Sequence, residues 1–208
     1  MIIEYLGHAC FRLAGKDYSV VIDPYEKGSV PGIELKNGIT ANYVFSSHNH
    51  HDHNAISLIK IQKCENKPTF SDIIVNHDKN NGLLRGKCKA YIFEIDGYRI
   101  AHLGDICDIS NIGYFDQLKN LDIVLCPING FYTISAQEAF KLCSIIKPKL
   151  IIPMHYEVKN LGIGYPDNGQ IDSFIKLFSN HFINSSYQIE LDEHLFKFDA
   201  IIFNDYMK

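Results

Sequence analysis

The chain has 208 residues, 46% hydrophobic and 21% charged, which is enough apolar material to bury a core as one α/β domain spanning residues 1–208. Its formal net charge of -4 and pI of about 6.2 offer no basic excess for non-specific nucleic-acid binding. No apolar run approaches the ~18 residues that a membrane span needs.

The first elements in chain order are short β-rich runs at Ile2–Leu6, Cys10–Leu13, Tyr18–Ile22 and Tyr43–Ser46. A Gly/Pro-rich loop, Pro24 to Gly38, separates the last two. A histidine cluster follows, and then the pattern predicts a helix from about Asn54, as N-cap, to Cys64. Phe70–Val75 reads as a strand. Lys89–Ile95 and Tyr98–His102 flank Asp96-Gly97, a two-residue hairpin signal. Asp122–Cys126 and Leu150–Pro153 read as buried strands. Between them Ser135 and Glu138 form a capping box, apolar residues recur at helical spacing from Ala136 to Ile146, and Pro148 stops the helix. Ile171, Phe174, Ile175 and Phe178 mark a last helix, and Tyr187 to Phe203 reads as two or three antiparallel strands. Sheets inside and helices outside is the simplest arrangement of this order.

The start, Met1 to Gly7, lacks the basic region of a secretory signal, and Glu4 interrupts its apolar run. Six cysteines, at 10, 64, 88, 107, 126 and 143, form no Cys-x-x-Cys pair and lie mostly in apolar runs, so buried reduced thiols and a cytoplasmic location are expected.

Ser47-His48-Asn49-His50-His51-Asp52-His53 carries the chemistry. The chain has ten histidines, and four of them fall between 48 and 53. In an extended segment His48 and His50 project to the same side and can meet one metal ion. Asp52 and His53 can face a second, while His51 falls between the two sets and points away. Imidazole and carboxylate suit zinc. Further donors sit just past strand ends: His77 followed by Asp78, His102-Leu-Gly-Asp105, and His155, where an α/β fold gathers its site. His77 and His102 compete for one ligand place. His8 reads equally as a residue at the site mouth or as a packed histidine, and His181 and His194 read as surface residues.

His48-x-His50-x-Asp52-His53, then His77, Asp105 and His155, resembles the ordered ligand pattern of the metallo-β-lactamase superfamily. Tyr5-Leu-Gly-His8-Ala-Cys-Phe11, Ile22-Asp23-Pro24, His102-Leu-Gly-Asp105 and Ile152-Pro-Met-His155-Tyr are similar to its branch containing ascorbate-phosphate lactonase and predicted zinc hydrolases. The resemblance implies an αββα four-layer sandwich with a dinuclear site. His48, His50 and His77 would hold one ion, Asp52, His53 and His155 the other, and Asp105 would bridge them. Asp23 would be a buried carboxylate supporting a ligand histidine, and His102 would stand as a ligand or behind the ligands. The cofactors expected are two divalent ions, zinc first, with Mn²⁺ or iron as alternatives. Members that carry iron and reduce oxygen have Glu where His50 stands, which favours zinc here.

The activity that follows is hydrolysis of an ester, lactone or phosphodiester bond in a small molecule by a hydroxide bridging the ions, with Asp52 and Asp105 as the catalytic carboxylates. Arg85, Lys79 and Lys87 either meet an anionic substrate or form a solvated face. Asn129-Gly-Phe-Tyr132-Thr either walls the site or packs as a turn. A phosphodiesterase or nuclease of the same fold, or a metal-binding member without catalysis, is the alternative. The partner expected is a small-molecule substrate, without membrane or nucleic acid.

Overall fold

The computed structural model describes residues 1–110, 113–158 and 161–207. Its strand-rich part comprises β1 (Ile2–Gly7), β2 (Cys10–Ala14), β3 (Ser19–Ile22), β4 (Thr40–Ala41), β5 (Tyr43–Phe45), β6 (Lys60–Ile61), β7 (Thr69–Asn76), β8 (Lys87–Ile95) and β9 (Tyr98–His102). Then come α1 (Gly113–Gln117), β10 (Ile123–Pro127), α2 (Ala136–Ile146), β11 (Leu150–Met154), α3 (Gln170–Leu177), β12 (His181–Asn184), β13 (Gln188–Glu190) and β14 (Ala200–Phe203). One sheet runs β13-β1-β2-β3-β5 and a second runs β12-β14-β11-β10-β9-β8-β7, while β4 and β6 make a small parallel pair.

Side-chain alternation divides the interior into layers. Ile3, Phe11, Leu13, Val20 and Ile22 of the first sheet pack between the sheets against Phe93, Ile100, Leu125 and Ile152 of the second. The other face of the second sheet, with Ala101, Val124, Cys126 and Ile151, takes Ala139, Leu142 and Ile146 of α2 and Phe174 of α3. All five residues of β10 are buried, as expected for a parallel strand covered on both faces. The outer face of the first sheet, with Leu6, Cys10 and Val21, is covered by Tyr25, Val30, Ile33, Ile39 and Ile59. The layers therefore follow the expected sandwich, with the outermost one spun from loops and short elements.

Local signals are realised where they are strongest. Ser135 Oγ accepts from the Glu138 amide at 3.2 Å, and Glu138 Oε2 accepts from the Ser135 amide at 2.9 Å. Asp96 and Gly97 both have positive φ, 52° and 83°, as the tight hairpin turn requires. No helix among the described residues is long and apolar enough to cross a membrane.

Two expectations fail. The helix expected from Asn54 to Cys64 is instead a single 3₁₀ turn, Ile56–Leu58, followed by β6. The amides of Lys60 and Gln62 donate to the carbonyls of Ile39 and Ala41, so a strand partner claims the backbone that a helix would use. The tail is not an antiparallel set. β12 and β14 pair in parallel, and β13 crosses to the first sheet to pair antiparallel with β1.

Candidate metal centre

The chemistry-bearing residues lie at strand ends on one rim of the sandwich. β3 ends at Asp23, β5 leads into Ser46–His53, β7 delivers His77, β9 delivers Asp105, β11 delivers His155, and the β1–β2 turn delivers His8. Three of these, His8, Asp23 and His155, have φ of 57°, 53° and 55°. Left-handed backbone at a non-glycine residue is costly and persists only when the surroundings dictate it. The His155 amide donates to the His8 carbonyl at 3.0 Å, and the Asp23 amide to the Phe45 carbonyl at 2.9 Å, which ties the turns together.

The donors gather into three overlapping groups: His48, His50 and His77; His48, His53 and Asp105; and His8, Asp52, His53 and His155. Asp105 Oδ2 lies 3.2 Å from His53 Nε2, 3.4 Å from His155 Nε2, 3.6 Å from His77 Nε2 and 3.9 Å from His48 Nε2. Asp52 Oδ2 lies 3.4 Å from His8 Nε2 and 3.6 Å from His53 Nε2, and His77 Nε2 is 3.3 Å from His50 Nδ1. Ligands at ~2.0–2.2 Å in a tetrahedral set are about 3.3–3.6 Å from one another, which is the spacing these atoms keep.

Every buried side-chain nitrogen or oxygen without a hydrogen-bond partner among the described residues belongs to His8, His48, His53, His77, Asp105 or His155. Leaving such atoms unpaired is expensive unless something of opposite polarity fills the space they face. A divalent cation meets that need for the Nε2 atoms of His8, His48, His53 and His155, which face Asp52 or Asp105, so the donor set fits the metal that the sequence implies. The fields agree. Burial would raise the Asp105 carboxyl, but the His53 and His155 charges hold it well below the usual carboxylate range. Burial would lower His53, yet Asp105 and Asp23 raise it well above its ordinary value, marking a spot of strong negative potential. Burial, aided by His53, takes His48 down to about 4, leaving it neutral and able to donate a lone pair.

Behind the donors, Asp23 Oδ2 stands 2.9 Å from His53 Nδ1 and accepts from Ser47 Oγ at 2.7 Å, while Oδ1 accepts from the Ser47 amide at 2.6 Å. One carboxylate thereby fixes a histidine and the start of the histidine-rich segment. His102 lies elsewhere. It is buried between the sheets, its Nε2 2.8 Å from the Ala9 carbonyl and its Nδ1 3.1 Å from the Gly104 amide, and it joins none of the three groups. His102 Nδ1 comes within 4.0 Å of Asp23 Oδ2, so it stands behind the donor cluster and not in it. His77, its competitor, is in the cluster.

Of the remaining histidines, His51 is exposed and faces Glu26. His194 is also exposed, and His181 is half-buried against the Phe178 carbonyl. His8 is the residue whose place the sequence left open. The structure brings it into the group with Asp52, His53 and His155, its ring 4.0 Å from that of His155. The signal that could have found it is its position after Gly7 in a tight turn between two strands of the rim.

A cleft of about 300 Å³ opens over the cluster. His50, Asp52, His77, Asp105 and His155 form its floor, and Arg85, Tyr132 and Tyr165 form its walls. Tyr165 stacks at 6.0 Å on His155 and 5.1 Å from Tyr132, and burial pushes its hydroxyl up to about 12, so it stays protonated. Lys79 instead pairs with Glu138 at 2.6 Å, and Lys87 is exposed on β8. Lys159 and Asn160, in the loop that carries Tyr165, lie outside the described residues.

Comparisons with known proteins agree with this geometry. A family model described as "Beta-lactamase superfamily domain" matches residues 2–155. A UPF0173 metal-dependent hydrolase from Thermococcus onnurineus is 26% identical over 188 residues, covering 74% of this chain and 84% of that protein. A UPF0173 protein from Pyrococcus abyssi is 30% identical over 187 residues, covering 75% and 83%. A crystal structure from Thermotoga maritima, assigned to the Zn-dependent hydrolases of the metallo-beta-lactamase superfamily, superposes with a TM-score of 0.72 at 24% identity over 97% of both chains, a likeness of fold.

Proposed function

This chain belongs to the beta-lactamase superfamily as a metal-dependent hydrolase, and we propose that it uses two divalent ions, zinc first, to hydrolyse an ester, lactone or phosphodiester bond in a small substrate. The observation that carries the reading is that, among the described residues, every buried side-chain nitrogen or oxygen without a hydrogen-bond partner belongs to a member of one cluster of donors. His48, His50 and His77 would hold one ion. Asp52, His53 and His155, with His8 beside them, would hold the other, and Asp105 would lie between the two.

Bound there, divalent cations would lower the pKa of a coordinated water towards neutrality and polarise a substrate oxygen. The chain's own residues do the rest. Asp105 and Asp52, both held ionised, can orient a water by accepting hydrogen bonds from its protons. Asp23 holds the His53 ring through Nδ1, so that Nε2 faces the cluster. Tyr165 and Tyr132 narrow the cleft and exclude bulk water, which strengthens every charge interaction inside it. The Tyr165 hydroxyl donates to the Ser29 carbonyl at 2.5 Å, which fixes its ring as a wall of the cleft.

The cleft's small volume favours a metabolite-sized molecule over a polymer. Zinc-loaded and manganese-loaded protein should hydrolyse at least one member of a panel of lactones, carboxylic esters and phosphodiesters. The activity should vanish with chelator and return on metal addition. Turnover that persists in chelator, or in a His48→Ala variant shown to be metal-free, would refute the proposal.

A further inference from the structure

The loop between β7 and β8 is built around one carboxylate. Asp78 Oδ1 accepts from the amides of Asn80 and Gly82 at 2.8 and 3.0 Å, and Oδ2 from those of Leu84 and Arg85 at 2.9 and 2.8 Å. The ends are cinched as well, with the His77 amide donating to the Gly86 carbonyl and the Gly86 amide to the Gly82 carbonyl. Gly82 has φ of +79°, and an added Cβ would sit 2.6 Å from the Gly86 carbonyl oxygen, so the loop closes too tightly for a larger residue. A loop held this way delivers Arg85 to a defined place.

That place is the wall of the cleft above the donors. Arg85 Nη1 donates to the Phe131 carbonyl at 3.2 Å, and the guanidinium lies 4.9 Å from the Tyr132 ring centroid and 5.2 Å from that of Phe131. A guanidinium offers five N–H donors, and one is used here. Among the described residues no carboxylate pairs with it, whereas Lys79 and Lys89 each have one. A cation that is stacked on aromatic rings, fixed by a carbonyl and left without a counter-ion beside the reaction centre is arranged to receive an anion from outside the chain.

We propose that Arg85 is the specificity-determining residue of this site, gripping through a two-pronged hydrogen bond an oxyanion group, carboxylate or phosphoryl, that the substrate carries apart from its scissile bond. The inference rests on the reading of the cleft as the metal-bearing active site. The substrate class is therefore an ester, lactone or phosphodiester that carries an acidic group apart from the scissile bond. Tyr132 keeps the guanidinium plane in position, and Asp78 keeps the loop.

The test is calorimetric titration of the metal-loaded full chain with straight-chain monocarboxylates and with dicarboxylates from succinate to pimelate, in wild type, Arg85→Ala and Arg85→Lys. One carboxylate occupies the centre, and the second reports on Arg85. At least one dicarboxylate is expected to bind about 10–100-fold more tightly than the monocarboxylate of equal length. Arg85→Ala should abolish that advantage, with a smaller loss for the monocarboxylate than for the dicarboxylate, and Arg85→Lys should restore part of it. The proposal is overturned if no dicarboxylate has an advantage, if the advantage survives in Arg85→Ala, or if Arg85→Ala weakens both classes equally, as loss of a mere strut for the 131–132 turn would. Chelator separates the two levels of argument. Monocarboxylate binding that ignores metal removal contradicts the active-site reading, whereas the dicarboxylate difference reads Arg85 alone.

Discussion

Asp23 shows how much one buried side chain can govern. Its carboxylate accepts from Ser47 twice and faces His53 Nδ1, with no exposure of its own. Asp23→Asn keeps the shape but removes the charge and puts a donor where an acceptor is needed. Metal affinity is expected to fall about 10–100-fold, as read by competition with a chromophoric chelator, and an unchanged affinity would deny Asp23 its positioning role. His77 and His102 separate in the same way. His77→Ala is expected to cost metal content, with little change in the folding stability of the metal-free chain. His102→Ala should leave metal content intact and lose about 2–4 kcal/mol in urea denaturation, from a lost hydrogen bond and a cavity. At this scale the sequence was largely legible, because His48, His50, Asp52 and His53 lie within six residues, although the segment that carries them is a run of bends and turns after β5 and not the extended stretch expected. His8 and the bond from Arg85 to Phe131 were not legible, since each depends on contact between residues far apart in the chain.

Among the elements, α2 is the one whose limits were written locally. Ser135→Ala removes half of the capping box and is expected to cost about 1 kcal/mol, measured as a shift in the urea midpoint, with the metal site unaffected. Gly104 couples an element to the site more directly. It has φ of +53°, and a Cβ there would meet Ser47 Cβ at 2.8 Å and the Lys89 carbonyl oxygen at 2.9 Å. Gly104→Ala is expected to lose about 1–3 kcal/mol and to weaken metal binding by displacing Asp105. Retention of both would show that the β9–Asp105 turn tolerates the strain. The misread segment after His53 shows what local pattern cannot supply. Ile56, Leu58 and Ile61 are apolar enough to suggest a helix, yet all three are exposed, and Ile59 is the one the core takes. The pairing of β6 with β4, and of β13 with β1 across the molecule, is a non-local choice to which hydrophobic periodicity is blind.

At the scale of the whole molecule, the two sheets bring strand ends from residues 8 to 155 onto one rim, so folding and metal binding should be coupled. Ions that bind only the folded chain stabilise it, by about 2.7 kcal/mol per site when free metal is a hundredfold above its dissociation constant. Thermal midpoints are expected to rise with added zinc and to fall in chelator, and equal midpoints in both would mean that the rim is already satisfied without cations. The order of elements implied sheets inside and helices outside, and the resemblance carried by the ligand motif supplied the four-layer sandwich. Of the cleft walls, Arg85 and Tyr132 were open alternatives in the sequence, and Tyr165 joined them only in the folded chain. The most direct test of the dinuclear reading is elemental analysis of the untagged protein beside a His48→Ala, Asp105→Ala double variant. About two equivalents of zinc or manganese per chain, mostly lost in the variant, is the expected result. Less than about half an equivalent, with none taken up on reconstitution, would contradict it and leave the cluster without the ions its geometry implies.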